Sequence, residues 1–485
     1  MKSFCLLISF GLWISHIQSQ YHTYDSPYNQ IAQSIIRTSD QGFLIASIES
    51  CYTPEEWVIE GCPVGIQLLK TDNTGDSMWL KEIVNFDILG PIHLFENEDG
   101  TYTIFAMQDG NYMCKEWTIG PDFGLPQVII YHVDEAGELL FETGFPDECQ
   151  LELLSVERLS DTTFVLLTKY SEPFASDTTE GNLLIMDHKG KVSEQLTFPG
   201  DPYLKGDLMI DSNRILVFHV DTNNDAKLNV YDSNLNVIQS STNTHLDSTC
   251  LVLEDTRASV VILENGDIFV MCDNPFNKGK NVELSTFSPK LNVISDKEYS
   301  IPFGSGFIVN EKHEIIILSE SRTKEDSSDI KLTFFNTMGD SLYARGFRIP
   351  GNQSPTQIIT LHGDEMAVVG THNCCNLSKT IGPGDTFLYL GDLFTSISNT
   401  DNREKEIKIF PNPARDLVQI KFDKVFQEFG EPEVYIYSAT GLLMEKMKLT
   451  GEDAISLSKL EAGTYILVFE IDNLIVKREK LVKIY

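Results

Sequence analysis

Ser39-Asp40-Gln41-Gly42-Phe43-Leu44-Ile45-Ala46 and, after a gap, Ile66-Gln67-Leu68-Leu69-Lys70-Thr71-Asp72-Asn73-Thr74-Gly75-Asp76-Ser77-Met78-Trp79-Leu80 set the fold. The first stretch is a polar turn running into apolar β-formers, and the second is two such runs around another polar turn. Gly supplies the positive φ that a tight turn needs, and Asp and Asn side chains bond their own backbone. Together the two stretches describe one small antiparallel sheet.

The theme returns. Its first half recurs at Asn97–Gly100 before Thr101–Phe105, Asp161–Thr163 before Phe164–Leu167, Asp211–Asn213 before Ile215–Phe218 and Glu264–Asp267 before Ile268–Val270. Glu311–His313 before Ile315–Leu318 and Gly363–Asp364 before Met366–Val369 continue it. Its second half recurs at Val128–Gly137, Leu183–Gly190, Leu228–Asn234 and Leu332–Gly339. A period of roughly 40 to 60 residues has to be read as a repeat before any single motif is weighed. About four strands per unit predict an all-β chain: a β-propeller of about seven blades, an arrangement that leaves only short sheet edges. A tandem of β-sandwiches would have similar turn spacing. No stretch carries a sustained helical period. The units resemble bacterial propeller repeats that run turn-Gly-Phe-Leu-Ile-Ala and then Lys-Thr-Asp-x-x-Gly-x-x-x-Trp, and Lys70 to Trp79 fits that pattern residue by residue.

The 485 residues are 42% hydrophobic and 22% charged, ordinary globular usage that excludes wholesale disorder. The formal net charge is −34, which repels a nucleic-acid backbone, so no nucleic-acid partner is expected. That charge is uneven: residues 1–402 carry −33 and residues 403–485 only −1. A boundary near 400 follows. At the other end, Lys2, an apolar run from Phe4 to Ile14 and the polar stretch Ser15–Gln20 read as a signal peptide over 1–19, too short to span a membrane. The predicted layout is 1–19 signal peptide, 20–396 propeller, 397–405 linker and 406–485 a small antiparallel β-sandwich, Ig-like. Beyond Cys5 eight cysteines remain, and in an exported chain they suit disulfides. Spacing suggests Cys51 with Cys62 and Cys250 with Cys272.

From Glu406 the texture changes to strict alternation. Ile407 and Ile409 flank Lys408, Val418, Ile420 and Phe422 alternate with Gln419 and Lys421, and Val434 and Ile436 alternate with Tyr435 and Tyr437. Tyr465, Leu467 and Phe469 mark one face of a later strand with Ile466 and Val468 on the other, as in a central strand. Pro411 and Pro413 each remove a backbone donor, placing that stretch at a strand end or edge. Ile407 to Asp416, with Pro411-Asn412-Pro413 inside it, resembles the opening of the type A C-terminal sorting domain of the Bacteroidetes type IX secretion system. Val434 to Leu443, with Tyr437 and Thr440-Gly441, is similar to its middle motif. Leu457 to Leu467, with Gly463-Thr464-Tyr465, resembles its third, and Lys480 to Lys483 its last. The resemblance implies Pro411, Asn412, Pro413, Asp416, Tyr437, Gly441, Gly463, Tyr465 and Lys483 as sorting-motif residues. It also implies export through the outer-membrane translocon, trimming by a sortase-like peptidase, and a product that is secreted or attached to the outer-membrane surface.

Little else points to chemistry. His372 beside Cys374 and Cys375 lacks the three or four convergent ligands of a zinc site. Asp72–Asp76 and Asp221–Asp225 lack the full calcium-loop pattern. No nucleophile elbow or phosphate loop stands in the right context, and Gly304-Ser305-Gly306 reads as a turn. Trp57, Trp117 and Phe123 fall in long loops where they could stack on a ligand or pack locally. No catalytic residue, metal or cofactor is assigned. The expectation is a non-catalytic module binding an extracellular glycan or protein. The alternative is an extracellular hydrolase or lyase acting at the mouth of the propeller channel.

Overall fold

The computed structural model describes residues 20–24, 29–50, 65–83, 88, 91–109, 126–144, 151–171, 179–200, 206–211, 214–220, 226–243, 258–273, 282–299, 301, 304–324, 327–347, 353–362, 365–372, 384–392, 408–421, 432–438, 443–449, 452–471 and 474–484. The first strand is β1 (Gln20–Tyr24). Blade 1 is β2 (Asn29–Arg37), β3 (Phe43–Ser50), β4 (Gly65–Thr71) and β5 (Ser77–Ile83). Blade 2 is β6 (His93–Glu96), β7 (Tyr102–Asp109), β8 (Pro126–Val133) and β9 (Leu139–Gly144), and blade 3 is β10 (Leu151–Ser160), β11 (Thr163–Ser171), β12 (Thr179–Asp187) and β13 (Val192–Gly200). Blade 4 is β14 (Gly206–Asp211), β15 (Arg214–Val220), β16 (Ala226–Tyr231) and β17 (Val237–Asn243). Blade 5 is β18 (Ala258–Ile262), β19 (Ile268–Asp273), β20 (Val282–Phe287) and β21 (Val293–Tyr299). Blade 6 is β22 (Gly304–Val309), β23 (Ile315–Lys324), β24 (Ser327–Phe335) and β25 (Ser341–Phe347).

Blade 7 has β26 (Gln353–Thr360), β27 (Glu365–His372) and β28 (Asp385–Asp392) from the end of the repeat region and takes β1 as its fourth strand. β1 runs antiparallel to β28 from Gln20 opposite Leu390 to Tyr24 opposite Thr386. Both ends of the ring are therefore sewn into one sheet. The first strand of every blade lies beside the first strand of the next, and β26 lies beside β2, so the circle closes. The fold is a seven-bladed propeller.

The middle strands of each blade are buried along most of their length because both faces are covered. Leu44 and Ala46 pack toward blade 2, while Phe43 and Ile45 pack toward blade 7. The turns follow from side-chain chemistry. In the β4–β5 hairpin the Asp72 carboxylate accepts from the amides of Thr74 (2.8 Å) and Asp76 (3.0 Å), and Gly75 takes φ +88°. Asp134, Asp187, Asp232 and Asn336 each accept in the same way from the amides two and four residues on. In blades 4 and 5 the left-handed residue is leucine, Leu235 at φ 58° and Leu291 at φ 55°. That conformation costs about 1–2 kcal/mol for a side chain with a Cβ, and both leucines recover it by burial in a seam between blades.

Each such turn rests on the outer strand of the preceding blade. Trp79 donates its indole N–H to Glu135 O at 3.2 Å, and a Cβ on Gly137 would come 2.7 Å from the Trp79 ring. Tyr24 bonds Gly75 O at 2.6 Å and Tyr299 bonds Gly339 O at 2.5 Å in equivalent places. Lys70 joins the two halves of the repeat inside blade 1. Its side chain is 3% exposed, and its ammonium reaches Asp40 at 2.8 Å. Gly304-Ser305-Gly306 is not a turn: Gly304 and Gly306 pair with β23 across a bulge in β22, the usual meaning of glycine inside a strand.

The C-terminal residues form β29 (Lys408–Phe410), β30 (Leu417–Lys421), β31 (Pro432–Ser438), β32 (Leu443–Lys448), β33 (Glu452–Ser456), β34 (Gly463–Ile471) and β35 (Leu474–Lys483). They make two sheets, β29-β30-β33 and β32-β31-β34-β35. Val418, Ile420 and Ile455 from the first meet Val434, Ile436, Tyr465, Leu467 and Phe469 from the second in one core. β34 is central, as its alternation requires. Residues 1–19, Cys51, Cys62 and Cys250 lie outside the described residues; Cys272 contributes backbone to β19, and its side chain is not described.

Candidate functional site

β29 stops at Phe410 because Pro411 and Pro413 have no amide to offer the ladder. Between them Asn412 turns its side chain to β35. Its Nδ2 donates to Lys480 O at 2.6 Å and its Oδ1 accepts from Val482 N at 3.0 Å. The carboxamide thus imitates one more residue of a strand. Ala414 continues the contact, its N–H donating to Val482 O at 2.9 Å and its carbonyl accepting from Ile484 N at 2.8 Å. The opening motif of the C-terminal domain is stitched to the closing one.

Lys483 completes the clasp from the other side. Its ammonium donates to Leu457 O at 2.7 Å and also to Leu460 O. The Leu457 amide donates to Asp416 O at 2.8 Å, and the Tyr465 hydroxyl donates to Glu461 O at 2.8 Å. The turn from Leu457 to Glu461 is therefore held by residues from three of the four motifs. Asp416 acts here through its carbonyl. Gly463 stands opposite Lys483, and a Cβ added to it would meet nothing nearer than Tyr465 at 3.9 Å. Tyr437 is half-buried beside Tyr435, the rings 6.5 Å apart and 15° from parallel. Gly441 lies outside the described residues. Ala414, fully buried, belongs to the clasp although sequence reading did not single it out; a small residue directly after Pro-Asn-Pro was the available signal.

Among the first strands, which stand next to one another around the ring, two carry polar side chains that join their blade to the next. Asp207 on β14 accepts from Ser155 Oγ of blade 3 at 2.7 Å and from Val260 N of blade 5 at 3.0 Å. Gln357 on β26 likewise accepts from Ile35 N of blade 1 at 2.8 Å. Burial pushes the Asp207 carboxyl up to about 6 against the pull of those donors. Glu157 is pushed up to about 7, by burial first and then by the charge of Asp207. His93 on β6 is pushed down to about 4 by burial alone. His372 bonds Tyr21 at 3.0 Å and Gln353 at 3.2 Å, and Cys374 and Cys375 lie outside the described residues. Among the described residues no group of three or more His, Cys, Asp or Glu is arranged to hold a metal ion. No described helix is long and apolar enough to cross a membrane.

Residues 408–484 match the secretion system C-terminal sorting domain. The chain ends in a type IX sorting domain. A chain so marked is secreted or anchored at the cell surface, and the clasp is the internal architecture of its sorting domain. Ahead of the sorting domain stand the seven blades, and solved structures of low identity are similar to the chain. The extracellular domain of a hybrid two-component system from B. thetaiotaomicron is 9% identical over 96% of this chain, with a TM-score of 0.46. The present chain spans 57% of that one. The β-propeller domain of the Trilobed protease from Pyrococcus furiosus is 10% identical, covering 79% of this chain and 100% of its own, with a TM-score of 0.43. No curated protein matches the chain.

Proposed function

We propose that this protein is a non-catalytic binding module, delivered outside the cell by its sorting domain and bound there to a glycan or protein through the propeller. The reading takes residues 1–19 as a signal peptide and 397–405 as the linker where a sortase-like peptidase cuts. Its main support is the use made of the polar side chains on these first strands. Asp207 and Gln357 spend their acceptors on backbone amides of the neighbouring blade. A carboxylate committed in this way is a joint between blades, not a general base poised over a substrate.

Mass mapping of both termini, on protein from culture medium and from outer membranes, tests the export half. Loss of residues before about 20 and after about 400 is expected; an intact C-terminus on the exported protein would mean that the domain stays on as a working part. For the binding half, the mature propeller is offered to glycan and peptide arrays. Retention without turnover is the expected result, and chemical conversion of a captured ligand would replace this reading with a hydrolase or lyase.

A further inference from the structure

The sorting domain has two outer faces, one on each sheet. On the β29-β30-β33 sheet Phe410 and Leu417 stand exposed, 44% and 46%, among the small or polar Gln419, Ala454 and Ser456. On the other sheet, Tyr435 and Tyr437 of β31 stand beside Ile466 of β34, which is 39% exposed, in the middle of the outward face. Lysines flank this centre on both sides. Lys446 and Lys448 project from β32, opposite Tyr435 and Glu433, and Lys480 projects from β35, opposite Ile466. Lys446 lies 4.7 Å above the Tyr435 ring and 2.9 Å from Glu433, so one acid already sits on the face and orients one of its cations.

We propose that this face of the sorting domain docks an acidic protein surface of the export machinery, an apolar ridge bordered by carboxylates. The inference rests on the sorting reading above and names the surface that is read. Two features select a protein partner. Tyrosine with an exposed aliphatic at the centre and charge at the rim is the composition of a protein interface. The charge is also local in origin: residues 403–485 are nearly neutral while residues 1–402 carry −33, so these lysines form a cationic face on a domain with no net positive charge. Rim charges of this kind set encounter rate and partner choice more than they set affinity. The clasp residues Asn412 and Lys483 then serve as positioning residues, holding β35 so that Lys480 keeps its place on the face.

The test is export in the native host, measured as full-length chain retained in the cell against chain delivered outside. Lys448→Glu with Lys480→Glu is expected to cut delivery by at least roughly tenfold, and Ile466→Ser to lower it by itself. Gln419→Glu with Ala454→Glu, on the other sheet, is expected to leave delivery unchanged. Thermal unfolding of the purified full chain should be nearly the same for all of these, separating docking from folding. Deleting 406–485 checks the underlying reading: if delivery survives the deletion, the sorting reading fails. If the deletion blocks delivery while the face variants are exported normally, the docking face alone is wrong. Normal delivery together with a changed hydrodynamic radius would place the face against the chain's own acidic propeller and overturn the proposal as well.

Discussion

At Lys70 and Asp40 a single ion pair shows how burial decides which partner matters. Lys70 is almost fully enclosed and Asp40 is 51% exposed. Burial alone would raise the Asp40 carboxyl, but hydrogen bonds from the Lys70 ammonium, Thr38 and the Gly42 amide hold it below the usual range. Removing the acid strands a cation in the blade, whereas removing the cation leaves an acid that water can solvate. Asp40→Ala is therefore expected to destabilise the chain by about 2–4 kcal/mol, and Lys70→Met by about 1 kcal/mol, as measured by denaturant unfolding. Equal costs would show that the pair acts through its attraction alone. Gly137 and Gly100 make a second comparison. Both have positive φ, +81° in each case, yet a Cβ at Gly137 runs into Trp79 while one at Gly100 meets nothing within 4 Å. Gly100→Ala should cost about 1 kcal/mol from backbone strain. Gly137→Ala should cost clearly more and quench or shift the Trp79 fluorescence.

Among the elements, β1 has the largest consequence for its size. Its five residues cover the edge of β28, and Tyr24 reaches across to the turn of blade 1. A chain that starts at residue 25 should show fast amide exchange over Thr386 to Leu390 and a lower unfolding midpoint. Protection unchanged along β28 would mean that the blade is stable with three strands. This strand was also the least legible in the sequence. Gln20-Tyr21-His22-Thr23-Tyr24 has no apolar run, and its partner lies more than 300 residues away. The second strand of each blade, by contrast, is marked by a continuous apolar run because both faces are covered, and most of the outer hairpins by Asp or Asn with Gly. Where Leu235 and Leu291 replace that glycine, the turn is carried by Asp232 and Ser288 alone. In the sorting domain the motifs were legible and their joining was not, because Asn412 and Lys483 act on backbone atoms that no residue pattern encodes. The glycines at 304 and 306 misled for a related reason: the same permissive backbone serves a turn or a bulge, and only the partner strand decides which.

For the whole ring, the acid–base balance is set by groups drawn into the seams. Asp207 and Glu157 have folded values of about 6 and about 7, against roughly 4 for a carboxyl in an unfolded chain. Across that interval the folded ring keeps protons that the unfolded chain has released, so these two groups make stability fall as pH rises from about 4 to about 7. His93 works the other way. With its folded value at about 4 it is neutral where an unfolded histidine is charged, so its contribution grows as pH rises toward 6.5. The parent profile is a sum of opposed slopes, and the informative quantity is the difference between parent and variant. Glu157→Gln removes one titrating group and its repulsion with Asp207, leaving the Ser155 and Val260 donors on Asp207 in place. At pH 5, where Glu157 is protonated in the folded ring, the variant and the parent should unfold at nearly the same temperature. At pH 8 the variant should be more stable, by roughly 2–4 °C in midpoint, with the gap opening between pH 5 and 7. A constant offset at all pH values would mean that Glu157 is ionised in the fold throughout, and that blades 3 and 4 meet around a charge solvated by groups other than Asp207.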